Sequence, residues 1–506
     1  GGGTAGWLTA CLLAASARGT GGNGPRITLV ESPDVPRIGV GEGTWPSMRM
    51  SLKTAGIAEA ELMRRADASF KQGTEFIGWG GDGEEDRYYH PFSLPAEYSR
   101  LNLAEHWLAA GCPGTFADFV TPQAAVVAAG LAPKQASMPD YAFALNYGYH
   151  FDAGRFADLL HEHAVGQLGV DYRRANVSGI DAAPDGDIAA VALDGGERLT
   201  ADLFIDCTGQ RALLLGRHFG IGFVSVKDCL LNDCAIAVQV PHSPGLAPLP
   251  SVTRASAAAA GWIWDIGLPS RRGVGYVHSS AHADPDAAMQ ALAGYVRRTS
   301  PGVDADALDF RVISFEPGYR RTFWHRNCVA VGLSAGFIEP LEASALALIE
   351  QAANMIARRF PVDRQTMDVV ARRFNARMHY HWQRVVEFLK LHYVLSRRHA
   401  APYWRDTRSA TTWPDELRDK LVLWRQQAPW HDDAPRVDEL FPSASYQYVL
   451  YGMGFRPDHA ATPAGGERAE VETLCRAADE RRRQLLSRLP ANRALLDDLA
   501  ALPGVA

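Results

Sequence analysis

The sequence predicts an α/β fold built on a dinucleotide-binding unit, with a mainly helical module at its C-terminal end. Three observations carry this prediction. The chain opens on Gly1-Gly2-Gly3-Thr4-Ala5-Gly6, a GxGxxG run that feeds an apolar helical pattern at Trp7, Leu8, Cys11, Leu12 and Ala15. Two later apolar strands end in glycine-bearing turns, at Cys207-Thr208-Gly209 and at Gly332 to Gly336. Beyond residue 360 the pattern changes to long helical periodicities.

In a dinucleotide site the first glycine permits a tight turn, the second lets backbone approach the pyrophosphate, and the third allows close helix packing. The helix N-terminus then faces the phosphates. After the glycine-rich turn at residues 19–24, Arg26 to Val30 reads as a strand ending at Glu31, placed to take the adenosine ribose hydroxyls. Leu203 to Asp206 and Cys328 to Val331 read as further strands, and the second leads through Pro340 into a helix reaching about Arg359. Three nucleotide-facing turns suit FAD, a cofactor long enough to touch several strand ends.

Between these strands, Gly39-Val40-Gly41-Glu42-Gly43-Thr44-Trp45-Pro46 is a glycine-punctuated loop. The alternation in Gly261-Trp262-Ile263-Trp264-Asp265-Ile266 puts Trp262, Trp264 and Ile266 on one face of a half-buried strand. Asp363 to Ser396 reads as a long helix, Pro414 starts another, and Glu467 to Leu489 is a charged, solvated one. The aromatic stretch from Phe441 to Pro457 either lids a cavity or closes the core.

Composition narrows the function. The chain has 506 residues, two to four domain equivalents, with 51 Lys+Arg against 57 Asp+Glu and no basic stripe, which argues against a nucleic-acid partner. No apolar run reaches the roughly 18 residues of a membrane span, and no basic-then-apolar leader opens the chain, so the expected location is the cytoplasm. Seven cysteines show no CxxC pair or zinc spacing and read as reduced thiols, with no structural metal expected. Twelve tryptophans hint at an aromatic-lined cavity.

Taken in order, GGGTAGW at 1–7, GVGEGTWP at 39–46, Lys71 in Ser69-Phe70-Lys71, GWIWDI at 261–266 and Gly336-Phe337-Ile338-Glu339-Pro340-Leu341-Glu342 resemble the flavin-dependent tryptophan halogenase family across nearly the whole chain. The tryptophan-strand motif and the lysine carry the resemblance, because flavin monooxygenases share GxGxxG and lack that pair. It implies an FAD-binding fold of the glutathione-reductase, flavoprotein-monooxygenase-like type. Residues 1–360 would form the FAD-binding and halide/substrate-site region with interleaved sheets, and 361–506 the helical subdomain completing the substrate pocket.

The resemblance also implies the chemistry. Reduced FAD from a separate NAD(P)H-dependent reductase reacts with oxygen, halide is oxidised to hypohalous acid, and this oxidant travels to a separate aromatic substrate. Lys71 matches the family lysine that carries or hydrogen-bonds the halogen; by residue type alone it reads as a solvated lysine. Glu342 matches the carboxylate that polarises the halogenating species or takes the ring proton, and it must point away from the anion site beside it. Ser344 and Ala345 occupy the halide position, His90 and Phe92 match the indole-stacking pair, and Phe455 joins the substrate side. Trp262 and Trp264 match a barrier that keeps organic substrate from the flavin. The cofactor set is Gly1, Gly3, Thr4, Ala5, Gly6, Glu31, Arg37, Gly41, Glu42, Val177, Leu333 and Ile338.

Four departures shape the expectation. Gly267 stands where the family motif has Pro, and Ala343-Ser344-Ala345 replaces Ser-Thr-Gly, so barrier and halide geometry differ and bromide becomes a candidate for preference over chloride. The segment from Lys71 to Phe92 is shorter than in tryptophan-specific members, and Tyr446 to Phe455 lacks an acid to grip an amino group. The expected substrate is indole or a simple indole derivative. The alternatives are an FAD monooxygenase that hydroxylates an aromatic ring with its own NAD(P)H, and a non-catalytic flavin- or indole-binding protein.

Overall fold

The computed structural model describes residues 1–18, 24–36, 41–83, 85–242, 248–458 and 467–501. Arg37, one of the expected cofactor residues, lies outside them. Contacts divide the chain into two compact units, each assembled from three segments. The first comprises Gly1–Asp67, Phe151–Val226 and Glu316–Gln383; the second comprises Ala68–His150, Lys227–Phe315 and Arg384–Ala506.

In the first unit the opening motif runs directly into the helix Thr4–Arg18, whose residues from Gly6 to Ala14 are all buried. Such an all-round apolar helix belongs in an interior. It packs against the helices Ser344–Arg358 and Ala153–Gly166, and the Trp7 ring stacks on His161 with centroids 4.4 Å apart. The strand Thr28–Glu31 pairs in parallel with Asp171–Arg174, setting Glu31 opposite Arg174. Phe204–Asp206 pairs in parallel with Cys328–Ala330, so both strands deliver their turns at the same end. Buried Asp206 organises the first of these turns by accepting from the Thr208 hydroxyl at 2.6 Å and from the backbone N–H groups of Leu214 and Leu215 at 3.0 and 2.9 Å.

The second unit is built on a seven-stranded sheet. Its order is Arg311–Ser314, Cys234–Pro241, Arg271–His278, Gly261–Gly267, Thr253–Ala258, Gly73–Ile77 and Arg87–Pro91. One face is closed by Ile236, Val238, Ile263 and Val274 packed with Leu292 and Val296 of the helix Pro285–Thr299. The tryptophan strand is buried at all seven positions, where alternation had predicted a half-buried one. The reason is its central place in the sheet: Trp262 on the face opposite Ile263 lies against Trp79, itself packed edge-on to Trp404. Trp264 fits because its cross-strand partner is Gly275, where a Cβ would fall 2.1 Å from the indole ring.

The named elements after residue 363 are helical, beginning with Arg364–Leu395 and including Asp415–Trp424 and Glu467–Arg488. Residues 443–452 form the helix Ser443–Gly452, buried from Ser443 through Tyr451, so this aromatic stretch closes the core. No described helix is long and apolar enough to cross a membrane. Among the described residues no group of His, Cys, Asp or Glu is placed to hold a metal ion.

Candidate active site

The three motif glycines of the first unit differ in what surrounds them. A Cβ on Gly1 would fall 2.0 Å from the Cys207 carbonyl oxygen, and one on Gly6 would fall 1.8 Å from the Gly1 carbonyl oxygen, whereas Gly3 faces open space. The loop is therefore packed shut behind and open in front, beside helix N–H groups that have no intrahelical acceptor. Glu31 sits at the end of its strand against Gly2, receives the Tyr172 hydroxyl at 3.0 Å and accepts the Ala175 N–H on its backbone carbonyl at 3.0 Å. Val177 follows two residues later at the start of its strand. The turn after Cys328–Ala330 comes close to the motif helix, since a Cβ on Gly332, at φ 74°, would meet the Ala5 Cβ at 2.6 Å. Leu333 is half-buried and Ile338 buried in the same stretch. Thr4 and Ala5 are the first residues of the motif helix.

Gly41 and Glu42 lie on the short strand Gly41–Gly43. Burial and the charge of Asp152 push the Glu42 carboxyl up to about 7, and its Oε2 is sealed without a hydrogen-bond partner among the described residues. A neutral or half-neutral acid here is what burial in a low-dielectric loop produces.

Glu342 and Ala343 are consecutive left-handed residues, at φ 63° and 54°. Such backbone costs of order 1 kcal/mol per non-glycine residue, and it persists where neighbours over-determine it. Trp45, a residue the sequence reading quoted without assigning a role, supplies that constraint: its indole N–H donates to the Glu342 carbonyl at 2.6 Å. The kinked turn releases into the helix Ser344–Arg358, whose N-cap Ala343 offers no side-chain acceptor. The first turn of that helix contains Ser344, buried, and Ala345, exposed. Glu342 itself is buried, at 5% exposure.

Further along this helix, buried Glu350 accepts the Ser47 and Ser51 hydroxyls at 2.9 and 2.5 Å, fastening the helix Ser47–Ala55 that follows Trp45. Burial pushes its carboxyl from an ordinary 4.5 to about 7. Between those values the folded chain binds more proton than the unfolded one, so the stabilisation present below pH 4.5 is lost as pH rises through 7. The loss is on the order of 3 kcal/mol. Glu350→Gln is expected to raise the thermal midpoint at pH 8 and to leave it unchanged or lower at pH 5; melting curves at the two pH values check this.

In the second unit, Lys71 lies on the strand Ser69–Lys71 at 1% exposure, with Nζ 5.3 Å from the centroid of the Phe92 ring. The solvated-lysine reading is overturned by this burial. Phe92 is drawn to the lysine strand by backbone: its N–H donates to the Gln72 carbonyl at 3.0 Å, and Asn146 holds its own carbonyl at 2.9 Å. His90, buried two residues earlier, meets the Ser445 hydroxyl at 3.0 Å and lies between the Phe388 and Tyr448 rings, each 5.8 Å away. Ser445 and Tyr448 belong to the helix Ser443–Gly452, and half-buried Phe455 follows its end. That helix carries no acid. Buried Glu387, which touches the helix through Tyr446, accepts the Lys420 ammonium at 2.6 Å and the Tyr446 hydroxyl at 3.3 Å.

Gly267, the departure at the end of the tryptophan strand, also meets the lysine strand. Its carbonyl accepts the Ser69 hydroxyl at 2.6 Å, and a Cβ there would fall 2.6 Å from a Leu249 methyl. Trp262 and Trp264 are 6.4 Å apart between centroids and buried.

A helix start crowded at its first and third glycines and open at its second, with an acid at the end of the neighbouring strand, has the form of a dinucleotide-binding α/β protein. The family profile described as tryptophan halogenase matches residues 1–467, and the chain belongs to that family. It is 32% identical to the tryptophan 6-halogenase ThaL of Streptomyces albogriseolus over 99% of this chain and 97% of that protein. It is likewise 32% identical to the tryptophan 7-halogenase RebH of Lentzea aerocolonigenes, over 97% and 96%. A solved tryptophan halogenase from Shewanella frigidimarina NCIMB 400 superposes with a TM-score of 0.95 at 46% identity, covering 99% of this chain and 96% of that one. The chain is a flavin-dependent halogenase, and FAD is its cofactor.

Proposed function

We propose that this enzyme halogenates the ring of indole or a simple indole derivative, using bromide or chloride, oxygen and FAD reduced by a separate NAD(P)H-dependent reductase. The observation that carries the reading is Lys71, a lysine at 1% exposure whose ammonium lies 5.3 Å from the ring centroid of Phe92. A buried amine beside an aromatic face suits halogen delivery to a ring, because an amine forms an N–halogen bond and a permanently protonated guanidinium does not. In this reading His90 and Phe92 stack the substrate with Phe455 beyond them, Glu342 takes the ring proton or polarises the oxidant, and the N–H groups of Ser344 and Ala345 bind halide. Trp262 and Trp264 wall off organic substrate. The crowded and open faces of the glycine motif support the cofactor set given above.

The acid-free helix Ser443–Gly452 and the engagement of Glu387 by Lys420 favour indole over free tryptophan, whose ammonium wants a carboxylate. Equal identity to a 6- and a 7-halogenase supports neither ring position over the other. The absence of any disulfide among the described residues is in keeping with a cytoplasmic enzyme fed by a cytoplasmic reductase.

Mass spectrometry of products tests the reading, with FAD, a flavin reductase, NADH, oxygen, indole and either bromide or chloride. A halogen isotope pattern on indole is the expected result. A gain of one oxygen would instead make the enzyme a hydroxylase, and conversion of tryptophan but not indole would overturn the substrate assignment.

A further inference from the structure

His150 is fully buried on the strand Gly148–Asp152, and the functional reading has no task for it. The register sets Ser69 opposite His150 and Lys71 opposite Gly148. Residues paired across strands share a face, and so do residues two apart, so His150 and Lys71 are diagonal neighbours on one face of the pair. One ring nitrogen is accounted for: Nε2 lies 2.8 Å from the Thr253 hydroxyl. The other, Nδ1, is buried with no hydrogen-bond partner among the described residues. Leaving a buried nitrogen unmatched costs on the order of 1–3 kcal/mol. His278 Nδ1 is unmatched among the described residues as well, and what sets His150 apart is the lysine on the same face of its strand pair. In the tautomer that has Nε2–H donating to the Thr253 hydroxyl, Nδ1 carries a basic lone pair on the residue that shares a face with the lysine.

We propose that His150 is the proton partner of Lys71, its Nδ1 accepting the proton that the ammonium sheds as it becomes an N-halo amine and returning it after the halogen has left. The proposal rests on the reading of Lys71 given above. In the first step the lysine ammonium, hypohalous acid and neutral His150 give the N-halo amine, water and protonated His150. The N–halogen bond forms as the O–halogen bond breaks, one ammonium proton completes the water and the other goes to Nδ1, and no atom changes oxidation state. In the second step the halogen passes to the aromatic carbon, the ring proton ends on the amine, and protonated His150 restores the ammonium.

The electrostatics give this exchange its timing. Burial first, and then the charge of Lys71, hold the imidazole well below its ordinary basicity; Lys71 is the one charged group acting on it among the described residues, and Thr253 brings no charge. Conversion of the ammonium to a neutral N-halo amine removes that charge. The imidazole therefore becomes more basic at the moment a proton is released.

His150→Gln tests the proposal, because glutamine keeps a hydrogen bond to Thr253 and cannot take up a proton. Turnover is measured from pH 6 to 9 together with FAD affinity and thermal midpoint. The expected result is a loss of ~10²-fold at neutral pH that shrinks as pH rises, since solvent then removes the lysine proton. In the Lys71→Ala background, His150→Gln is expected to cost nothing further, the signature of two residues acting as one unit. If Lys71→Ala is inactive while His150→Gln stays within about threefold of wild type at every pH, the His150 proposal fails and the Lys71 reading stands. If Lys71→Ala is fully active, the Lys71 reading fails. Should His150→Gln not fold, Thr253→Val removes the hydroxyl that holds Nε2 at constant volume; a smaller loss with the same pH dependence supports the proposal, and an unchanged profile overturns it.

Discussion

Lys71→Met is expected to abolish ring halogenation, by at least ~10³-fold, while leaving the fold and FAD binding intact. The lysine is sealed at 1% exposure on a three-residue strand in the second unit, and the glycine motif lies in the first. Methionine is unbranched like lysine, one heavy atom shorter, and brings no charge. Taking an ammonium out of a buried site relieves a desolvation cost, so the thermal midpoint should hold or rise as activity disappears. Lys71→Arg should be equally inactive, because a guanidinium stays protonated, and less stable, because its planar fork is bulkier than the buried ammonium it replaces. Product mass spectrometry, a flavin titration and a melting curve decide the matter together. Retention of more than a tenth of wild-type halogenation by Lys71→Met would remove the lysine from the chemistry.

Gly6→Ala and Gly3→Ala are expected to fail in different ways. At Gly6 the new methyl would lie 1.8 Å from the Gly1 carbonyl oxygen, a backbone atom, so the motif and the buried helix Thr4–Arg18 must separate. Overpacking of that kind costs about 1–3 kcal/mol, and FAD affinity should fall at least ~10²-fold with the thermal midpoint. Gly3 has nothing within 4 Å, so Gly3→Ala should melt like wild type. Its methyl nonetheless occupies the space through which backbone approaches the pyrophosphate, and flavin affinity should drop without loss of stability. Equal melting losses for both variants would mean that the open face of the loop is not where the cofactor lies.

Several elements were legible from residue order because their signals are local. The helix after the glycine motif, the strand ending at Glu31 and the long helix expected from Asp363 to Ser396, found at Arg364–Leu395, follow from glycine placement and apolar spacing. The family resemblance supplied Lys71, Glu342 and the His90–Phe92 pair. His150 and Trp45 have no local signal: a buried ring nitrogen without a hydrogen-bond partner among the described residues marks the one, and a hydrogen bond to a carbonyl 297 positions away marks the other.

The sequence by itself determined the glycine-rich helix start, the strand ending at Glu31, the long helix after residue 363 and the halogenase family. Each depends on neighbours a few residues apart or on motifs that survive as strings. The tertiary structure alone decided that Lys71 is buried against Phe92, that the tryptophan strand is covered on both faces, that Glu342 and Ala343 are left-handed, and that residues 443–452 close a core. Burial and backbone strain are set by what distant segments bring to the same place: Gly275 making room for Trp264, or Trp45 reaching the Glu342 carbonyl. A desolvation energy depends on that whole surrounding, and no window of sequence contains it.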